Sequence, residues 1–215
     1  MRIVDLTREI AFPTEMSQKE DYFVPLRIGD RDYTALCHKL HCDGMTGTYL
    51  DFPGHVVETD DGVRAADVPL ERLFMLEATV LRLDRDPANR EVTADELEAA
   101  GAEVKGDALI VHALGPRAFH EFSSDTIPYY GPSAIRWIME QDFAVFASDI
   151  YENKADLQGI FTDLFARGAL AVCCPVNLHA IREAHPRACV IPARMEGVAQ
   201  LPCRFFVVEG VADAE

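Results

Sequence analysis

No stretch of this chain approaches the ~18 consecutive apolar residues that a membrane-spanning helix requires. Its opening, Met1-Arg2-Ile3-Val4-Asp5, also lacks the charged-then-apolar layout of a secretory leader, so a cytoplasmic protein is expected. Positive charge is scarce. Lys and Arg number 20 against 36 Asp and Glu, a net charge of -16, and the acidic residues are dispersed rather than gathered in one tail. Such a surface repels phosphate backbones, and neither a nucleic-acid nor a membrane partner is expected. There is no GxGxxG and no Walker-type loop, which argues against a dinucleotide or P-loop site. The six cysteines would suggest a disulfide framework only in a small secreted chain; in these 215 residues they are expected to be reduced and mostly in the core.

What is present is an ordinary globular composition, 49% apolar and 26% charged, enough for a real core. Alternation in Ile3–Ile10 predicts a strand, a polar Glu- and Asp-containing loop is expected to about Asp32, and Thr34 to Cys42 reads as a second strand before an Asp43-Gly44 turn. Met45 to His55 reads as a loop or strand edge with special geometry. Further strands are expected at 78–83, 108–112, 143–150, 169–172, 188–191 and 204–208. Helices are expected from the capping-box residues Thr93 and Glu96 to Gly101, from Pro132 with Ile135, Ile138 and Met139 on one face, and over 160–167. Strands and helices interleave without a repeat or linker, predicting one α/β or α+β domain over 1–215.

The run Gly47-Thr48-Tyr49-Leu50-Asp51-Phe52-Pro53-Gly54-His55 resembles the HxGTHxDxPxH signature of the cyclase family, which includes bacterial kynurenine formamidases and isatin hydrolases. Ile3 to Thr7, Asp61-Gly62 through Leu73, Thr93 to Asp107 and Pro202-Cys203-Arg204 resemble other parts of the same family. The resemblance implies a swivelling β/β/α domain with a mixed, barrel-like sheet flanked by helices, assembled as a homodimer or larger oligomer. It also implies amide or lactam hydrolysis, with two histidines and the aspartate of the signature on a divalent metal and the last histidine shuttling protons. In this chain Met45 and Tyr49 stand at the two histidine positions, and Phe161 and Cys173 at those of a more distal His and Glu ligand. Asp51 and His55 remain, and one carboxylate cannot hold Zn²⁺ or Mn²⁺, which require at least three suitable ligands.

The residues therefore point to catalysis without a cofactor. His55 is expected to move a proton, Asp51 to orient His55, and Tyr49 to donate to a developing oxyanion on a small carbonyl substrate. Met45, Phe161, Cys173 and His41 are candidate substrate contacts, the first two as apolar fillers of the former metal cavity. Cys173 near His55 could also be a nucleophile, although its apolar run reads equally as the end of a core strand. Cys37, His38, His41 and Cys42 alternate between two faces of one strand and cannot share a single ion. His41 with Asp51 and His55 could form a rebuilt zinc or manganese site, the alternative being a metal hydrolase with relocated ligands. A third reading is a non-catalytic relative that binds a small molecule. His112, at the end of a buried strand, reads as a core histidine or a substrate contact.

Overall fold

The computed structural model describes residues 1–211 except 86–88, 102, 116, 118, 124 and 154. Its frame is a closed mixed barrel. Strands β1 (Arg2–Asp5), β2 (Ser17–Ile28), β3 (Arg31–Cys42), β4 (Tyr49–Asp51), β5 (Leu76–Arg82), β6 (Glu91–Val92), β7 (Ala108–His112), β8 (Tyr129–Tyr130), β9 (Val145–Ser148), β10 (Leu170–Cys173), β11 (Arg187–Pro192) and β12 (Gln200–Glu209) alternate with helices α1 (Ala94–Ala99), α2 (Pro132–Glu140) and α3 (Ile160–Ala166). The main sheet runs β1-β12-β11-β5-β7-β9-β10-β4, and β4 also pairs with β12, closing seven strands into a ring with β1 added outside. β5, β7, β9 and β10 are parallel; the remaining pairings of this sheet are antiparallel.

The pleat explains the texture of the central strands. Val80, Ile110, Ala147 and Val172 point into one buried cluster with Leu50, Phe205 and Val207, whereas Leu81, Leu109, Phe146 and Ala171 point the other way, into a second cluster with Leu97, Ile138 and Leu164 of the helices. Strands covered on both faces need apolar residues on both, which is why Ala108-Leu-Ile-Val-His112 shows no alternation. The capping box opens α1 as expected: the Thr93 backbone N–H donates to Glu96 Oε2 at 2.9 Å. Among the described residues no helix is long and apolar enough to cross a membrane.

One expectation is overturned. The segment expected as a polar loop up to Asp32 is largely strand: β2 pairs with β3 over twelve residues each, from Ser17↔Cys42 to Ile28↔Arg31, around a turn where Gly29 has φ +58°. The acidic residues hid an alternation of Tyr22, Val24, Leu26 and Ile28, whose partners across the hairpin are Cys37, Ala35, Tyr33 and Arg31. The hairpin stands as an arm: Phe23, Ile28, Leu36 and Leu40 are more than half exposed. The short β6 and β8, which pair with each other, were also not anticipated.

Candidate active site

The signature loop is fixed from both sides. Thr48 Oγ1 accepts the Arg8 N–H at 2.8 Å and donates to the Cys174 carbonyl at 2.9 Å, while the Cys203 N–H donates to the Thr48 carbonyl at 2.9 Å. Gly47 has φ +72°, and a Cβ there would come within 2.8 Å of Ile10. At Gly54 a Cβ would come within 2.4 Å of Arg64, whose guanidinium holds the Asp60 carboxylate by two 2.7 Å hydrogen bonds. The Gly-Thr and Pro-Gly pairs of the signature thus let the chain pass close to its neighbours and set β4 between β10 and β12. Register then places Tyr49 opposite Cys173 and Pro202, and Asp51 opposite Ala171 and Gln200.

Five of the seven residues singled out from the sequence share one cavity. Met45, Tyr49, Asp51, His55 and Phe161 line a space of about 430 Å³. Tyr49 and Phe161 also belong to the wall of an adjoining, more apolar cavity of about 250 Å³, together with Cys173, Phe119 and Tyr151. Phe161 stacks on Tyr151 with ring centres 5.0 Å apart, and Phe165 continues the layer to an edge contact with His55 at 6.4 Å. Glu152 and Leu157 line both spaces, so the two form one cleft with an aromatic floor.

The electrostatics differ from expectation at Asp51. Its carboxylate is buried and makes no hydrogen bond to His55; instead the Cys173 thiol donates to Oδ2 at 3.5 Å, and Oδ1 has no hydrogen-bond partner among the described residues. Burial raises its pKa, opposed by the nearby Gln200 amide, the His55 ring and the Cys173 thiol. The group that meets the imidazole is Gln200, whose amide nitrogen lies 3.3 Å from His55 Nε2; among the described residues Nδ1 has no hydrogen-bond partner. Gln200, not Asp51, is thus the orienting contact. Tyr49 is held well above its ordinary pKa by burial and by Cys173, Cys174 and Asp51, so its hydroxyl stays protonated and able to donate. Burial also pushes the Cys173 thiol up, with Asp51 adding to the effect, which opposes the thiolate a nucleophile requires.

His41 is not brought to the site. It lies exposed on the arm opposite Gln18, outside both cavities. Among the described residues no group of three or more His, Cys, Asp or Glu side chains could hold a metal ion, so the relocated set His41, Asp51 and His55 is not assembled. The donors present do not fit the family's divalent metal: one buried carboxylate bonded to a protonated thiol, and one imidazole on an amide.

Sequence reasoning missed Glu152, Gln200 and Asp149. Asp149 and Glu152 follow β9 directly, at the carboxyl end of a parallel strand, where α/β folds gather their ligand sites. Extending the predicted strand to Ile150 concealed that signal.

The model of the family described as "Putative cyclase" matches residues 4–153. The chain belongs to the cyclase family. Solved structures with the same fold include isatin hydrolase A from Labrenzia aggregata, bound to benzyl benzoate, which aligns over 96% of this chain and 93% of its own at 17% identity and a TM-score of 0.73. Isatin hydrolase A from Ralstonia solanacearum aligns over 96% and 91% at 16% identity and TM-score 0.68. A predicted metal-dependent hydrolase from Bacillus stearothermophilus aligns over 96% and 97% at 16% identity and TM-score 0.65. No curated protein matches the chain in sequence. These similarities establish the cyclase-family barrel for this member; its chemistry has to be read from its own side chains.

Proposed function

We propose that this cyclase-family member is a metal-independent enzyme acting on a small carbonyl compound by acid–base chemistry, through isomerisation, cyclisation, dehydration or cleavage of an activated ester or lactone. The observation that carries this reading is the convergence of Tyr49, Asp51, His55, Met45 and Phe161 on one cavity wall. The substrate's flat apolar part rests on the Tyr151–Phe161 stack. The Gln200 amide nitrogen can only donate, so His55 Nε2 accepts it and Nδ1 of the neutral ring carries the hydrogen, from which His55 gives a proton to the substrate oxygen or leaving group. The protonated Tyr49 hydroxyl donates to the oxygen on which charge develops. Asp51, its pKa raised by burial, accepts the Cys173 thiol behind Tyr49. Without a metal-bound hydroxide, water attack on an unactivated amide lacks its usual nucleophile, so activated carbonyl compounds are favoured over amides.

The test is turnover of dihydrocoumarin, an activated aryl lactone, by protein dialysed against a chelator. Activity retained after chelation and reduced at least about a hundredfold in His55→Ala is expected. Full loss on chelation with recovery on added zinc or manganese would replace this reading with a metal hydrolase, and saturable binding without turnover would replace it with a binding protein. We further propose a homo-oligomer. Its support is the arm, since a two-stranded hairpin with apolar residues on both faces is marginal until covered. A single species of 23.9 kDa in light scattering would contradict it.

A further inference from the structure

The carboxyl ends of the parallel strands carry a second titratable pair that the reaction above does not use. His112 ends β7, and Asp149 follows β9, its neighbour in the sheet. The imidazole Nδ1 lies 2.7 Å from Asp149 Oδ2, and both side chains are over nine-tenths buried. Asp149 is itself fixed by the backbone N–H groups of Ala113 at 2.9 Å and Leu114 at 3.2 Å. Both Asp149 oxygens already accept backbone N–H groups, so the carboxylate meets Nδ1 as an acceptor: Nδ1 carries the hydrogen and Nε2 presents a lone pair.

That nitrogen has no partner among the described residues, and it is not among the buried polar atoms left unsatisfied. It is open to a cavity of about 90 Å³ walled by His112, Asp149, Phe119, Asn177 and His179, with the His179 ring centred 6.5 Å from that of His112. Phe119 and Asp149 are shared with the aromatic cavity, so the two spaces adjoin. A histidine that only packed would have Nε2 against protein. Here a carboxylate fixes the tautomer from behind, and the free nitrogen faces the continuation of an apolar cleft.

We propose that His112, oriented by Asp149, is a second acid–base residue of the cleft, acting on the polar end of a small aromatic carboxylic acid or ketone whose ring lies on the Tyr151–Phe161 stack. This rests on the reading of that stack as the substrate's apolar site. In the transfer, Nε2 takes a proton from an O–H or acidic C–H of the ligand. The electrons of the broken bond stay on the ligand's oxygen or carbon, and the imidazolium keeps its Nδ1–H bond to Asp149. Asp149 is a positioning residue. Protonated at Nε2, the same ring donates to a bound carboxylate.

Proton–nitrogen correlation spectra of the histidine rings in the full chain, with benzoate as the probe, test the proposal. His112→Gln assigns the signals. Without benzoate, His112 is expected as the Nδ1–H tautomer. Benzoate is expected to shift its Nε2 signal saturably, and His112→Gln to weaken benzoate binding about tenfold or more, read at the ring protons of Tyr49 and Phe161. His55→Ala should leave the His112 shift in place. If benzoate moves Tyr49 and Phe161 but leaves His112 unchanged, the pair merely braces two strand ends and the proposal fails while the apolar site stands. If none of these signals moves, both readings fail. An Nε2–H tautomer at His112 overturns the proposal by itself.

Discussion

Replacing Tyr49 with Phe removes one oxygen from the wall shared by two cavities and leaves the aromatic ring in place. The hydroxyl titrates far above its ordinary range because burial and the neighbouring Cys173, Cys174 and Asp51 oppose its ionisation, so it is a neutral donor at every pH used for assay. In a cleft floored by Phe161 and Tyr151, water competes poorly for that donor. One preorganised donor to an oxyanion is worth about 2.7–4 kcal/mol, a loss of roughly a hundredfold to a thousandfold in kcat. The structural cost is much smaller. The hydroxyl's side-chain hydrogen-bond partner is the Cys173 thiol, a weak one, so the lost stability is about 1 kcal/mol or less, a Tm change of roughly 2–4 °C in a chain of this size. Steady-state turnover of dihydrocoumarin, with thermal melts of both proteins, separates the two effects. A variant that melts near wild type and keeps kcat within about threefold would refute the role of Tyr49, since that difference is under 1 kcal/mol of barrier.

Because the folded Asp51 has a raised pKa, the native state binds the extra proton above the ordinary value of 3.8. Wild-type stability relative to Asp51→Asn should therefore be highest below pH 3.8 and be lost as pH rises through the raised value; parallel denaturation midpoints across that window would contradict the burial cost. Thiol reagents should label exposed Cys42 in the native protein and spare Cys173 and Cys203 until unfolding, the latter pushed up to about 12 by burial. Rapid native labelling of Cys173 would restore the nucleophile reading.

The barrel was legible in the sequence because its signals are local. The doubly apolar runs at 108–112 and 169–172, the Thr93 and Glu96 capping pair and the glycine-bounded signature each specify their own conformation. The arm was not, because Glu20, Asp21, Asp30 and Asp32 lower the apparent strand character of a segment whose apolar residues make sense only across a hairpin. At the site, the alignment of Asp51, His55 and Tyr49 along one short run suggested a relay of neighbours. β4 pleats instead, sending Asp51 toward Cys173 and leaving His55, beyond the strand, to Gln200 from a segment 145 residues later. Spacing along a chain cannot show which distant strand supplies a partner. His112 was noted as a core histidine or substrate contact, but its pairing with Asp149 was hidden for the same reason: the two meet because β7 and β9 are adjacent, 37 residues apart in sequence.

The ring is closed by its last strand. β12 pairs with β4 through Gln200–Pro202 and with β11 through Cys203–Val208, and its end holds β1. Without β12 the sheet β11-β5-β7-β9-β10-β4 is open, with β11 and β4 as unpaired edges and β1 without a partner strand. His55 meets its amide partner only when the start of β12 is in place. The residues that line the cleft, none later than Cys174, thus precede the strand that closes the ring, and what closure adds is the brace: β4 gains its second neighbour and His55 its amide contact.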